Sequence, residues 1–497
     1  MPAPTRRGRI LTISIDAGAG QPLYRQIYES VRLDILSGLL RSGTRLPSTR
    51  DVAHDLGVAR STVVQAYEQL GAEGYVEGIL GAGTRVSTSL PERHLRPADG
   101  PRAAAAPAPF HGTCSRRAAA LADAPRRSQW VLGRSPRAFR AGVPAVDVFP
   151  VDVWGRLLAK RWSRTTPRQL AYAEPFGYLP LRAAITEYLR AARGVRCTPE
   201  QVLVVAGSQQ ALDLCGRVLL DPGDRAWMED PGYHGARGAL TAAGAEIVPV
   251  PVDEQGMMVA RGREAAPDAR LACVTPSRQL PLGVTMSLPR RIELLQWAAG
   301  AGAWVVEDDY DSEFRFASRP LAALQGLDES GCVLYTGTFS KVMFPALRLG
   351  YLVVPERLIE PFTAARHFAD FHSPHLEQAV MADFMTDGHF ERHIRRMRAI
   401  YQERQGVLVE AARAELAGLL DVQPADGGMT LIGWLRAGDD VEAARRAEAA
   451  GVDVLPLAPF AIHHRPPPGL LLGYAGVREP DLREGVTQLA AALEGMR

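Results

Sequence analysis

Beyond residue 150 the chain repeats short apolar runs, QVLVVAG, AWMED, AEIVPVPV, ARLACVTP, AWVVEDD, CVLYTGT and RLGYLVV, with helix-like stretches between several of them. Runs of this length suit strands, and strands alternating with helices pack as an α/β fold with a largely parallel sheet. Such sheets bind ligands beyond the carboxyl ends of their strands, so the chemistry is to be sought there. A length of 497 residues exceeds what one ordinary core holds, so a further domain is expected.

The amino-terminal segment has a different rhythm. PLYRQIYESVRLDILSGLL places Ile27, Val31, Ile35 and Leu36 on one helical face, with Gly38 ending the element. Ser48, followed three residues later by Asp51, is a capping-box signature for a second helix. Val52 and Leu56 lie on its inner face, and Gly57 closes it. GVARSTVVQAYEQLGAEG then reads as turn, helix and stop. Val63, Ala66, Tyr67 and Leu70 face inward, while Arg60, Ser61, Thr62 and Gln65 stay near the outer face at its start. YVEGILGAGTRVS alternates and turns at Gly81–Gly83, as a β-hairpin wing does. Two short helices of this kind suit a recognition helix in the major groove, with amides and hydroxyls on phosphate and Arg on a guanine edge. The same pattern also fits a small helical bundle with a hairpin that binds protein or nothing.

Between the two patterns, residues 89–140 are rich in Pro, Ala and Arg and sustain no hydrophobic period, which predicts a flexible or partly extended connector. The net charge of +2 is unevenly spread. Residues 1–88 carry ten Arg against eight acids, and residues 89–140 carry ten Arg against three. The remaining 37 basic and 44 acidic residues lie beyond. A basic end on a chain whose remainder is acidic fits a nucleic-acid reader joined to another module, although the connector supplies most of the excess. No apolar run has membrane-spanning length, and MPAPTRRGRI lacks the apolar core of a signal peptide. Cys114, Cys197, Cys215, Cys273 and Cys332 show neither metal-ligand spacing nor a disulfide framework, so no metal and a cytoplasmic location are expected.

Only two lysines occur, Lys160 and Lys341; the other 55 basic residues are Arg. Where Arg serves nearly every need for positive charge, a remaining Lys is a candidate for chemistry Arg cannot do, such as bonding an aldehyde. Three strand ends bear on this. QVLVVAGSQQ runs from strand through Gly207-Ser208-Gln209 into a helix, an anion cup in outline. AWVVEDDYDSEFR delivers Glu307, Asp308, Asp309, Tyr310 and Asp311 at a strand exit, and CVLYTGTFSKVMFPALRLG places Lys341 past a strand with Arg348 seven residues on. A pyridoxal site needs an amine, a carboxylate for the pyridine nitrogen, a phenol for the ring oxygen and a phosphate cup. Lys341, Asp308, Tyr310, and Ser208 and Gln209 with Thr338 and Arg348, supply that set.

Residues 21–87 closely resemble the GntR-type winged helix through PLYRQI, SGLLRSGTRLPSTRDVAHDLGVARSTVVQAYEQL and EGYVEGILGAGTRVS. The resemblance implies that Arg50, Arg60, Ser61, Thr62 and Gly83 approach DNA; Ala59 stands where the family usually has Ser or Thr. AYAEPFGYLPLRAAITEYLRAARGV, VAGSQQALDL, EDPGYHG, EDDYDSEFR and GTFSKVMFPALRLGY are similar to the ordered landmarks of fold type I aminotransferases over residues 145–490. Together the chain resembles MocR-type regulators. That implies a multi-domain protein: a winged helix-turn-helix (α+β) over residues 15–88, the connector of 89–140, and a large α/β aminotransferase-like domain over 141–497. It further implies pyridoxal 5'-phosphate on Lys341, its pyridine nitrogen on Asp308, its ring hydroxyl near Tyr310 and Tyr233 stacked on its ring. Ser208, Gln209, Thr338 and Arg348 would hold phosphate, and Tyr172 would reach in from the neighbouring subunit of a head-to-tail homodimer.

Two departures stand out. VTPSRQLPLG has Arg278 and Gln279 where aminotransferases use an Asn-Pro-rich turn, and GLLLGYAGV offers leucines where they place the arginine that grips a substrate carboxylate. Arg237 and Arg465 are the candidate substitutes, and His463-His464 reads as a surface loop. The expected function is a regulator of promoter DNA whose large domain senses an amine, an amino acid or the cofactor itself through Lys341. Two alternatives stay open: an active aminotransferase with an accessory amino-terminal module, and a cofactor-free scaffold.

Overall fold

A computed structural model describes residues 13–16, 20–79, 83–88, 113–123, 137–316 and 322–496. The chain divides into two units, Met1–Gly112 and Thr113–Arg497. In the first, α1 (Leu23–Leu36), α2 (Thr49–Leu56) and α3 (Arg60–Ala72) precede β1 (Val76–Ile79) and β2 (Gly83–Val86), which pair antiparallel. α1 buries Ile27, Tyr28, Val31 and Ile35, while Leu36 is half-buried. The Asp51 amide donates to Ser48 Oγ (3.2 Å) at the start of α2, and the Ser48 hydroxyl donates to the Asp51 carboxylate (2.7 Å). Gly57 ends α2 at φ 68°, a conformation that costs a residue without a Cβ nothing. α3 buries Val63, Ala66, Tyr67 and Leu70, the inward set that its periodicity predicts. Gly81 and Ala82 of the expected wing turn lie outside the described residues.

In the second unit the seven apolar runs from QVLVVAG to RLGYLVV are strands of one sheet: β3 (Val202–Val205), β4 (Arg225–Asp230), β5 (Glu246–Asp253), β7 (Leu271–Val274), β8 (Trp304–Asp309), β9 (Val333–Thr338) and β10 (Gly350–Val353), with β6 (Gly256–Met257) at one edge. The order is β3-β10-β9-β8-β7-β4-β5-β6. The run from β9 to β5 is parallel; β10 is antiparallel to β3 and β9. The β9–β10 link is too short for the crossover that a parallel neighbour needs, so the chain turns back, and Lys341 sits in that turn. Register aligns the strand exits, with Val274 opposite Glu307 and Asp308 opposite Thr336.

A second, antiparallel sheet, β11 (Leu420–Val422), β12 (Thr430–Leu435), β13 (Leu455–Pro456) and β14 (Gly469–Gly473), follows the 27-residue helix His389–Glu415. The connector region also holds structure that its composition does not announce. Helix Arg116–Asp123 belongs to the second unit, started by Ser115 Oγ accepting from the Ala118 amide (3.2 Å) and sustained by Ala, Arg and Leu, strong helix formers. Phe139 is fully buried and Arg140 bonds Asp453 (2.8 and 2.6 Å), so packing of the large unit begins before residue 141. Among the described residues, no helix is long and apolar enough to cross a membrane.

Candidate functional site

The strand exits open into a cavity of about 790 Å³. At the exit of β3, Gly207 takes φ 104° and helix Ser208–Leu219 begins, its first amides free to face an anion. A Cβ on Gly207 would stand 3.4 Å from Arg348 Nη1, so this glycine lets the guanidinium close on the helix start. Arg348 is itself held in the left-handed region (φ 50°), a conformation that a non-glycine residue keeps only where its surroundings impose it. Gln209 Nε2 donates to the Gly235 carbonyl (2.9 Å), and Thr338 Oγ1 accepts from the Ser340 amide (3.1 Å). Ser208, Gln209 and Thr338 all line the cavity.

The acids of EDDYD divide by partner. Glu307 accepts from the Leu324 and Gln325 amides (2.9 Å each). Asp309 is ion-paired with buried Arg193 (2.7 Å) and accepts from the Tyr335 hydroxyl (2.6 Å). Asp311 pairs with Arg278 (3.4 Å). Asp308 has no such bond among the described residues, and its Oδ1 is buried with no hydrogen-bond partner. Burial pushes its carboxyl up to about 7, with Asp309 and Glu229 adding to the shift and Lys341 opposing it. Behind it Glu229, bonded by Thr275 and Gln279, is also pushed up to about 7 by burial.

Lys341 lines the same cavity and donates to the Gly142 carbonyl (2.7 Å). Tyr310 and Tyr233 line it too; burial first, then Asp311, raises the Tyr310 phenol well above its ordinary value. Tyr172 is 84% exposed, stacks on Phe371 (5.3 Å) and is absent from the described lining of its own chain's cavity. So the fold brings together Lys341, Tyr310, Tyr233, Ser208, Gln209 and Thr338, sets Arg348 against Gly207, and leaves Tyr172 facing outward.

The departures in the sequence take structural form. Gln279 is buried and bonds Glu229, the Pro231 and Leu280 carbonyls and the Leu282 amide, so it builds the turn, while Leu280 lines the cavity. Leu471 of GLLLG also lines it. Arg237 is half-buried and Arg465 exposed, and neither is among the described lining residues. Exposed His463 and His464 give their backbone amides to Asp230 (2.8 Å each). Gly142 and Leu121, also in the wall, had no signal in the sequence.

In the first unit Arg50, Arg60 and Ser61 are exposed and Thr62 half-buried around the start of α3. Ala59 caps that helix in extended geometry without a side-chain hydrogen bond, leaving first-turn amides open. A Cβ on Gly83 would stand 3.2 Å from Arg45 Nε, so Arg45 lies against the wing, a basic neighbour that pattern reasoning missed.

Residues 146–489 match the family model for aminotransferase class I and II, and residues 23–86 match that for bacterial regulatory proteins of the gntR family. The chain is 45% identical over 480 residues to the probable rhizopine catabolism regulatory protein MocR of Rhizobium meliloti, covering 96% of this chain and 95% of that protein. It is 28% identical to the HTH-type pyridoxine biosynthesis transcriptional regulator PdxR of Corynebacterium glutamicum, covering 97% and 98%. Among solved structures, Pyrococcus horikoshii kynurenine aminotransferase in complex with PMP matches at a TM-score of 0.69 and 28% identity over 77% of this chain and 96% of that one. Thermus thermophilus α-aminoadipate aminotransferase, complexed with N-(5'-phosphopyridoxyl)-L-leucine, matches at 0.66 and 33% identity over 72% and 92%.

Proposed function

The chain belongs to the MocR-type transcriptional regulators, in which a gntR-family winged helix precedes an aminotransferase class I and II domain, and we propose that it binds pyridoxal 5'-phosphate on Lys341 and answers an amine-type effector. The observation that carries the cofactor is Asp308. Its buried carboxylate oxygen has no donor, it lies two residues before the cavity-lining Tyr310, and it is close enough to Lys341 for that charge to lower its carboxyl, which fits a protonated ring nitrogen. The donor set agrees: the helix start at Ser208, with Gln209, Thr338 and Arg348, suits a phosphate dianion, Tyr310 suits the ring hydroxyl and Tyr233 the ring face. When bound, the cofactor supplies an electrophilic aldehyde carbon that captures amines.

The winged helix of residues 15–88 meets double-stranded DNA through Arg50, Arg60, Ser61, Thr62 and Gly83, tethered by the 89–140 segment to the effector domain of 141–497. A head-to-tail homodimer completes each site with Tyr172 of the other subunit. Its exposure, with Trp162, Leu170 and Phe368 also exposed, supports a covered face there. An effector (an amine, an amino acid or the cofactor itself) engages the Lys341 site and biases the large domain, which alters the affinity of the winged helices for their promoter sites. The rival reading, a turnover aminotransferase with an accessory module, is not favoured: no arginine is among the described lining residues to position a substrate carboxylate.

The test is the visible spectrum of the full-length protein loaded with pyridoxal phosphate, beside Lys341→Ala, with promoter-fragment binding measured in parallel. A lysine-dependent band and ligand-responsive DNA binding are expected. An identical spectrum in both proteins would remove the cofactor, and absence of fragment binding under every ligand condition would remove the regulatory mechanism.

A further inference from the structure

Part of the cavity wall is hydrocarbon, and its origin is the alternation of β14. Leu470 and Leu472 point into the main core, and Leu471, facing the other way, joins a small cluster with Ala141, Leu457 and Phe460. Leu280 and Leu455 pack against that cluster, and Leu455 is the register partner of Leu471. Leu471, Leu280, Leu455 and Phe460 all line the cavity that contains Lys341.

A carboxylate resting on this wall would find no arginine to grip it, since in the reading proposed above Lys341 holds the aldehyde and Arg348 the phosphate. Among the described residues the lining includes no arginine and one acid, Asp311. Arg278, beside Asp311, is occupied: its guanidinium donates to the Gly427 carbonyl (3.0 Å) and the Thr430 carbonyl and pairs with Asp311 (3.4 Å). A carboxylate against these leucines would give up water, face Asp311 and gain no guanidinium, an arrangement that costs more than burying hydrocarbon there. Building on the reading that Lys341 carries pyridoxal phosphate, we infer that the effector is a primary amine without a carboxylate, its substituent resting on Leu471, Leu280, Leu455 and Phe460.

Isoamylamine and L-leucine differ only in the carboxylate, as do phenethylamine and L-phenylalanine. Each is titrated into the full-length protein loaded with pyridoxal phosphate, following the visible band and the thermal unfolding midpoint. The loaded state is verified first by its absence in Lys341→Ala. Each amine is expected to half-saturate the response at a concentration at least about tenfold below its amino acid. Leu471→Arg is expected to bring L-leucine at least about tenfold closer to isoamylamine, because it supplies the missing guanidinium. Should that variant fail to fold, the two wild-type pairs still decide. Amino acids binding as tightly as their amines, or neither class perturbing the band, overturns this inference and leaves the cofactor in place. No lysine-dependent band at all overturns the cofactor reading and this inference with it.

Discussion

In the function proposed above, Asp308 would join stability to ligand binding. Its carboxyl stands near 7 in the folded chain against 3.8 ordinarily, so between those values the folded protein keeps a proton that the unfolded chain has released. Stability from this group is therefore highest below pH 4, falls as pH rises to about 7 and is flat above. In cofactor-free protein, Asp308→Asn should remove that slope, so that the variant gains on wild type between pH 5 and pH 8. Urea midpoints at the two pH values measure it, and equal midpoint differences at both would refute the assignment. With the cofactor, the order reverses: a charge-assisted hydrogen bond is lost, about 1.5–3 kcal/mol, so affinity should fall on the order of ten- to a hundred-fold in equilibrium titration. The strand-end position of EDDYD was legible, because β8 ends at Asp309 as its apolar run predicts. Which acid of that run serves the ligand rested on the family resemblance. The structural distinction is that its neighbours are taken, by Arg193, by Arg278 and by the Leu324 and Gln325 amides, each distant in sequence.

At the scale of elements, the same partners become supports. Arg193 ends helix Leu179–Arg193 with its guanidinium buried between Asp309 and Ser277 Oγ (2.6 Å), anchoring that helix to the carboxyl edge of the sheet. Removing one member of a buried pair strands the other, so Arg193→Ala should cost about 3–5 kcal/mol. All seven tryptophans lie after residue 113, so urea unfolding followed by tryptophan fluorescence reports the second unit by itself; an unchanged midpoint would contradict the anchoring role. In the first unit, α3 starts at Ala59 with the geometry of a cap and no capping side chain. Ala59→Ser should stabilise that start by about 1 kcal/mol, seen as roughly fivefold slower amide exchange at residues 61–63. Elements with strong period or punctuation were legible: the three amino-terminal helices and all seven named strands. The four-stranded sheet was not: β11 and β13 span only three and two residues, and Gly433 interrupts the apolar run of β12. Helix Arg116–Asp123 was missed because its Ala and Arg read equally as connector composition, and only the Ser115 cap marks it.

For the whole molecule, the proposed function requires that a cavity in one unit alter DNA affinity in another. The chain leaving the winged helix enters the second unit at Thr113, and helix Arg116–Asp123, packed on helix His234–Ala243, puts Leu121 into the cavity wall. In the proposed regulator, a ligand that shifts this wall would act on a helix that follows the connector directly in sequence. Two variants separate reading DNA from responding to ligand. Lys341→Ala leaves α3 and the wing untouched, so affinity for a promoter fragment without effector should stay close to that of cofactor-free wild type. The effector-dependent change, about 1–3 kcal/mol or five- to a hundred-and-fifty-fold for couplings of this kind, should vanish. Leu121→Ala should keep the lysine-dependent band, since no cofactor partner is altered, yet reduce the effector's influence on DNA binding. Fluorescence anisotropy with a labelled fragment, at one fixed salt concentration because phosphate contacts depend steeply on salt, measures both. A Leu121→Ala protein that responds as fully as wild type would place the coupling elsewhere than in the connector helix, whereas loss of response with the band intact would locate it there.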